Sequence, residues 1–226
     1  MDILWRLVCA HLIADFSLQT NKLAVWKSKS IFGLIVHSSI FFVVSIIFTL
    51  PYFKSIRFTL VLLWIAHFAI DYGRTKIISN NPSWDNIYFY ICDQVSHYLS
   101  IFIAYKIQFA KMSTMPAPAW VFVISVLIIA THFTTITIYY AERQVYKESI
   151  IEWKEKYFSI LERIIILSCF LLPGGWWMIF PVVILIRWYI YKKAIIKINF
   201  QAINVILGVI SAVIAGVFFR MFFMPL

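Results

Sequence analysis

Residues 31–50 read IFGLIVHSSIFFVVSIIFTL, twenty residues with a single ionisable side chain, His37. At about 1.5 Å of rise per residue, such a run makes a helix about 30 Å long, the thickness of a bilayer's hydrocarbon core. Similar runs lie on both sides of it. Of the 226 residues, 62% are hydrophobic and only 13% charged, with a mean hydropathy of +0.86. One soluble core cannot hide that much apolar surface. The expected fold is all-α, a polytopic transmembrane helical bundle with no sheet.

Working outward, the sequence predicts about eight membrane helices, at roughly 3–20, 31–53, 58–76, 86–108, 118–140, 157–172, 176–191 and 200–224. Pro51, Asn80-Asn81-Pro82, Pro116, Pro118 and Pro173-Gly174-Gly175 punctuate the links. Trp84, Tyr139-Tyr140, Trp176-Trp177 and Trp188-Tyr189 gather near segment ends, as in interfacial belts. The sixth and seventh segments are short, and read either as two short spans or as a re-entrant hairpin. Residues 1–110 read as a four-helix membrane core. Residues 111–226 read as further membrane helices within one continuous membrane unit. There, the polar link 141–156 (AERQVYKESIIEWKEK) reads as a cytoplasmic amphipathic helix resting on the membrane surface through Ile150, Ile151 and Trp153. No internal repeat or low-complexity tract stands out.

The net charge is +10. Its Lys and Arg sit in short links between apolar runs, which fits topology and anionic lipid, not nucleic acid. Twelve of them, Lys22, Lys27, Lys29, Arg74 and Lys76 included, fall in links after odd-numbered segments, and four on the opposite face. The basic face is therefore expected in the cytoplasm and both termini outside. The first twenty residues carry His11 and Asp15 where a signal peptide is purely apolar, so no cleavable signal is expected. Cys9, Cys92 and Cys169 are widely spaced within apolar runs and read as free thiols.

An ionisable group inside a span is costly and calls for a reason. Segment one carries His11-x-x-x-Asp15 and then Gln19, segment two His37, segment three His67-x-x-x-Asp71, segment four Asp93-Gln94-x-x-His97, and segment five His132. Each His/Asp pair is four apart and so shares a helix face. Helical rise places Asp15, His37, His67 and Asp93 roughly 10–12 Å from the cytoplasmic end, with Asp71 shallower and His11, His97 and His132 deeper. Helices of alternating direction thus bring their polar groups to one depth.

Imidazoles and carboxylates facing inward from a bundle resemble helical-bundle metal sites. The oxygen and nitrogen donors of His11, Asp15, His67, Asp71, Asp93 and His97 suit Zn, Mn or Fe, and their number suffices for two ions. His37 reads as a further ligand or a general acid/base. Gln19, Gln94, His132 and Glu162 are candidates for orienting the ligands. The plainer alternative is that each His simply satisfies its Asp in a dry bundle. Three pairs at matched depth favour the site. Glu162-Arg163 reads first as a local ion pair, Gln201 and Asn204 as interhelical hydrogen bonds, and Arg220 as snorkelling.

The run His11-Leu-Ile-Ala-Asp15-Phe-Ser-Leu-Gln19, with His37, His67-x-x-x-Asp71 and Asp93-Gln94-x-x-His97, resembles the family known as domain of unknown function 3307, membrane proteins of bacteria and their phages. The resemblance covers residues 3 to about 108, and more loosely Leu161-Glu162-Arg163 and the Gly208-containing last helix. It implies a bacterial cytoplasmic membrane and no established activity. A weaker likeness is to membrane-bound metal-dependent hydrolases. Three functions compete. The leading one is a metal-dependent hydrolase acting on a lipid-linked or membrane-proximal ester or phosphoester. The second is a proton- or metal-ion-handling transporter, against which the apolar outer halves of segments two to four weigh. The third is a non-catalytic scaffold that meets a soluble partner through 141–156.

Overall fold

The computed structural model describes residues 2–109, 117–146, 153–193 and 202–223, all of them helical or in short turns with no strand among them. The helices are α1 (Asp2–Leu12), α2 (Asn21–Lys29), α3 (Ile31–Phe48), α4 (Phe53–Asn80), α5 (Ile87–Ala104), α6 (Ala119–Ile128), α7 (Thr134–Tyr146), α8 (Trp153–Leu171), α9 (Phe180–Lys192) and α10 (Ala202–Phe223). Pro116, Lys147, Ile150, Ile151 and Gln201 lie outside the described residues; of the link 141–156, residues 141–146 end α7 and residues 153–156 open α8.

Among the described residues, four helical stretches are long and apolar enough to cross a membrane: Ile31–Phe48, Leu50–Asn80, Ala119–Tyr146 and Ala202–Met221. The expected count was about eight. At 11 and 13 residues, α1 and α9 are too short. Asp93, Gln94 and His97 lower the hydropathy of α5, and the charged first half of α8 does the same there.

The chain forms two compact units, Met1–Ser125 and Val126–Leu226. In the first, α1 packs on α3, α3 on α4, α4 on α5 and α5 back on α1, which closes a four-helix ring; α2 lies against α3. The ring's outer surface is apolar, with Phe58, Leu62, Ile65 and Leu99 exposed, while His67, Asp71 and His97 face inward. That arrangement inverts a soluble protein and suits a lipid surround. On each helix the inward face changes character along its length. Ile3 and Leu7 precede His11; Ile56, Leu60 and Leu63 precede His67; Phe41 follows His37; and Ile101 and Tyr105 follow His97. The apolar ends form one buried cluster, and the polar ends meet beyond it.

Local chemistry sets the corner that closes the polar end. The sequence reads 21–30 as a link, yet it folds as α2. Thr20 caps this helix, its Oγ1 accepting from the Leu23 amide at 3.2 Å. Ser30 then ends α2 in extended geometry and caps α3, accepting from the Phe32 amide at 3.2 Å. Gly33 lets the two backbones touch, since a Cβ there would sit 2.6 Å from the carbonyl carbon of Trp26. Small residues permit such close approach where helices pack in lipid.

In the second unit α10 packs along α8, with Gly216 seated on the Phe170 ring and Ile166, Phe170 and Ala212 buried between them. At the turn Pro173-Gly174-Gly175, Gly174 takes φ +70, the left-handed conformation that glycine adopts freely. Arg220 does not simply snorkel. It donates to the carbonyls of Leu172 at 3.2 Å and Gly174 at 2.8 Å, satisfying groups left open at the end of α8.

Candidate metal centre

Four helices of the first unit each present one part of the site. Asp15 sits on a π-turn, Ile13–Ser17, that continues α1. Such turns re-aim side chains and recur at functional sites. His37 comes from the first half of α3, His67 and Asp71 from α4, and Asp93 and His97 from α5. All of these, with His11, are buried.

The tightest grouping joins Asp15, His37, His67 and Asp71. His37 Nε2 lies 3.3 Å from His67 Nε2, 3.5 Å from Asp15 Oδ1 and 3.2 Å from Asp71 Oδ2. His67 Nε2 lies 3.6 Å from Asp15 Oδ1 and 3.4 Å from Asp71 Oδ2. A tetrahedral ion with bonds of roughly 2.0–2.1 Å holds neighbouring donor atoms about 3.3–3.4 Å apart. These five separations thus match the donor spacing that a zinc-sized ion needs.

The remaining groups surround it. His11, His67 and His97 offer one set of donor atoms within 4.8 Å of one another, and Asp71, Asp93 and His97 another. His97 Nε2 stands 3.9 Å from Asp71 Oδ1 and 3.7 Å from Asp93 Oδ1. Gln94 donates to Asp93 Oδ2 at 3.1 Å, and its Oε1 lies 3.4 Å from His11 Nε2. The Phe41 ring stacks on His67 at 4.6 Å between centroids and walls the group off from the apolar end.

Not every expected residue joins. Gln19 Oε1 is buried without a hydrogen bond among the described residues. His132 belongs to the second unit, where its Nδ1 meets Thr131 Oγ1 at 3.0 Å. Glu162 also belongs there and pairs with Arg187 of α9, not with its neighbour Arg163. Arg187 further donates to Asn204 Oδ1 of α10 at 3.1 Å, while Arg163 donates to the Ser159 carbonyl at 2.9 Å and to Thr135 Oγ1 of α7 at 2.6 Å. The buried arginines clasp α7, α8, α9 and α10 together. Nothing in the sequence reading singled out Arg187, because it sits among the aromatic residues of a helix end.

Two cations that the sequence reading counted as topology charges turn inward. Lys27 of α2 is buried and its Nζ bonds Asp71 Oδ1 at 3.0 Å. Arg74 Nη1 lies 3.7 Å from Asp93 Oδ2 and also faces Asp85. Thr20, Ser30 and Gly33 were the legible signs that Lys27 belongs to a helix folded back on α3.

The buried polar groups do not satisfy one another. His11 Nδ1, Asp15 Oδ1, His37 Nδ1, Asp71 Oδ2, Asp93 Oδ1 and both ring nitrogens of His97 are buried without a hydrogen bond of good geometry among the described residues. Proteins leave few such atoms, and a cluster of them calls for an ion or water. Three carboxylates here meet two cationic side chains, Lys27 and Arg74. The donor set and its spacing fit a divalent cation.

These features define a class: an all-helical protein with membrane-length helices and a buried His/Asp centre in its N-terminal bundle. Within that class, the chain belongs to the family described as Protein of unknown function (DUF3307), whose model matches residues 3–128. All of the centre lies inside that match, and the looser likeness at Leu161–Arg163 and Gly208 lies beyond it. No curated protein and no solved structure matches the chain, and no match supports the likeness to metal-dependent hydrolases.

Proposed function

We propose that the protein is a metal-dependent membrane hydrolase, with Asp15, His37, His67 and Asp71 holding one divalent transition metal. The carrying observation is the set of five donor separations between 3.2 and 3.6 Å. Of the two roles open to His37, its Nε2 position supports the ligand role. A metal bound there supplies Lewis acidity for hydrolysis at neutral pH. Asp93 and His97 stand beside Asp71 as the neighbouring proton-accepting pair, and Gln94 holds their geometry. Lys27 occupies Asp71 Oδ1, where a second ion would otherwise compete, so the reading is of one metal with an ammonium beside it.

The shorter helices complete about eight membrane segments in a bacterial cytoplasmic membrane, with the α2 corner at the cytoplasmic face, as the basic links suggest. The substrate is an ester or phosphoester of a lipid or of a membrane-proximal molecule entering from the inner leaflet. The buried apolar cluster beyond the site weighs against a transport path through the bundle. Metal analysis of protein purified in detergent tests the reading. About one Zn, Mn or Fe per chain is expected, lost in Asp71→Ala and in His67→Ala. Metal-free protein, or metal retained by both variants, would remove it.

A further inference from the structure

Beside the His/Asp centre, and sharing one residue with it, is a pocket of about 240 Å³ between the α2–α3 corner and the last turns of α4. Lys27, Lys29 and Lys76 line it together with Ser30, Thr75 and Tyr72, and none of its lining residues is acidic. Three lysines line one small cavity against the single carboxylate that Lys27 meets, an excess of positive charge that favours an anion there. Ser30 marks the N-terminus of the 18-residue α3, whose first-turn amides and dipole add positive potential at the same spot. The volume is below the roughly 300–1,000 Å³ of drug-sized ligand sites and suits a compact headgroup. Ile31, Leu34 and Tyr72 give it an apolar wall, with Ile31 and Tyr72 largely exposed on the lipid-suited surface.

We infer that this pocket binds a phosphate group, and that Lys27 joins phosphate recognition to the metal centre by bridging the pocket to Asp71. Lys27 Nζ carries three donors and spends one on Asp71 Oδ1 at 3.0 Å, which leaves donors for a phosphate oxygen. Lys29 of α2 and Lys76 of α4 line the same pocket. The substrate class of the proposed hydrolase is then a phosphate-bearing one, anchored by its phosphate next to the bond to be cleaved. The catalytic meaning rests on the metal reading, whereas the binding of phosphate does not.

Two probes distinguish the sources of that phosphate: inorganic phosphate added to protein in phosphatidylcholine nanodiscs, and nanodiscs in which phosphatidic acid is mixed with phosphatidylcholine. Phosphorus NMR and thermal shift read binding, and metal analysis runs in parallel on every sample. Saturable binding of inorganic phosphate, weakened about tenfold by Lys29→Gln or Lys76→Gln, supports a soluble phosphorylated ligand. Saturable phosphatidic acid binding with the same sensitivity supports a lipid headgroup. Both lysines are exposed, so these variants are expected to fold and to keep their metal. No saturable binding of either probe, or binding indifferent to both substitutions, overturns the inference even where metal is present. Phosphate bound by a metal-free protein would instead remove the hydrolase and leave the pocket standing.

Discussion

Each unit of this protein buries a polar cluster among helices, and the two clusters balance differently. In the second unit Glu142 and Glu162 are matched by Arg163 and Arg187, and the guanidinium groups reach side chains or carbonyls on α7, α8 and α10. In the first unit three carboxylates and four imidazoles converge with two cations. Among the described residues both clusters keep buried polar atoms without a hydrogen bond, seven ring or carboxylate atoms in the first unit and Glu142 Oε1, Glu162 Oε1 and Arg163 Nη1 in the second. A cluster closed by matched charges holds helices together. One that gathers imidazoles and carboxylates at ion-ligand spacing is arranged for something else to enter. Burial alone, equal in both, does not separate structure from function; the balance of donors, acceptors and charge does.

The largest test of this contrast removes one carboxylate from the closed cluster. Glu162→Ala leaves the Arg187 guanidinium buried without its acid and is expected to destabilise by about 3–5 kcal/mol, seen as a fall in melting temperature. Metal content of the folded fraction should stay unchanged. A Glu162→Ala variant as stable as its parent would deny the clasp. The matching experiment on the open cluster adds metal. At a hundredfold excess over its Kd, zinc should stabilise the parent protein by about 2.7 kcal/mol and His37→Ala hardly at all. Equal stabilisation of both would mean that zinc binds elsewhere.

A middle-sized effect is expected at Gly33, the contact that folds α2 onto α3. Gly33→Ala forces its new Cβ against the Trp26 and Lys27 backbone and should cost about 1–3 kcal/mol. Because the strain lifts α2, phosphate binding should weaken while the metal stays. Loss of metal along with phosphate would show that Lys27 supports the donor set itself.

How much of this was readable from residue order differs between the clusters for the same reason. His11-x-x-x-Asp15, His67-x-x-x-Asp71 and Asp93-x-x-x-His97 announce themselves because helical period puts both members on one face, and a polar pair inside an apolar run has few bland explanations. Arg187 gave no such signal, and Glu162-Arg163 reads as an ion pair between neighbours because adjacency in sequence does not show that Glu162 faces Arg187 of another helix. Lys27 was hidden in a basic stretch whose charges read as topology, and only the close approach at Gly33, a tertiary fact, turns it inward. The count of about eight spans goes beyond the four stretches of membrane length because apolar runs of 11 to 19 residues look alike in sequence whether or not each one crosses hydrocarbon.

The smallest test sets one amide from each cluster against the other. Gln94 bridges Asp93 and His11, and Asn204 accepts from Arg187 and from Ser159 at 3.4 Å. Leucine is close in size to both, so Gln94→Leu and Asn204→Leu chiefly delete hydrogen bonds. Asn204→Leu should lower stability by about 1 kcal/mol and leave metal affinity alone, since Arg187 keeps Glu162. Gln94→Leu should do the reverse, weakening metal binding about tenfold through misplaced neighbours of the donor set, with little change in melting temperature. Calorimetric metal titration and thermal melts on the same two proteins give four values. If both substitutions move the same measurement, the two clusters do the same job, and the contrast between a closed clasp and an open centre fails.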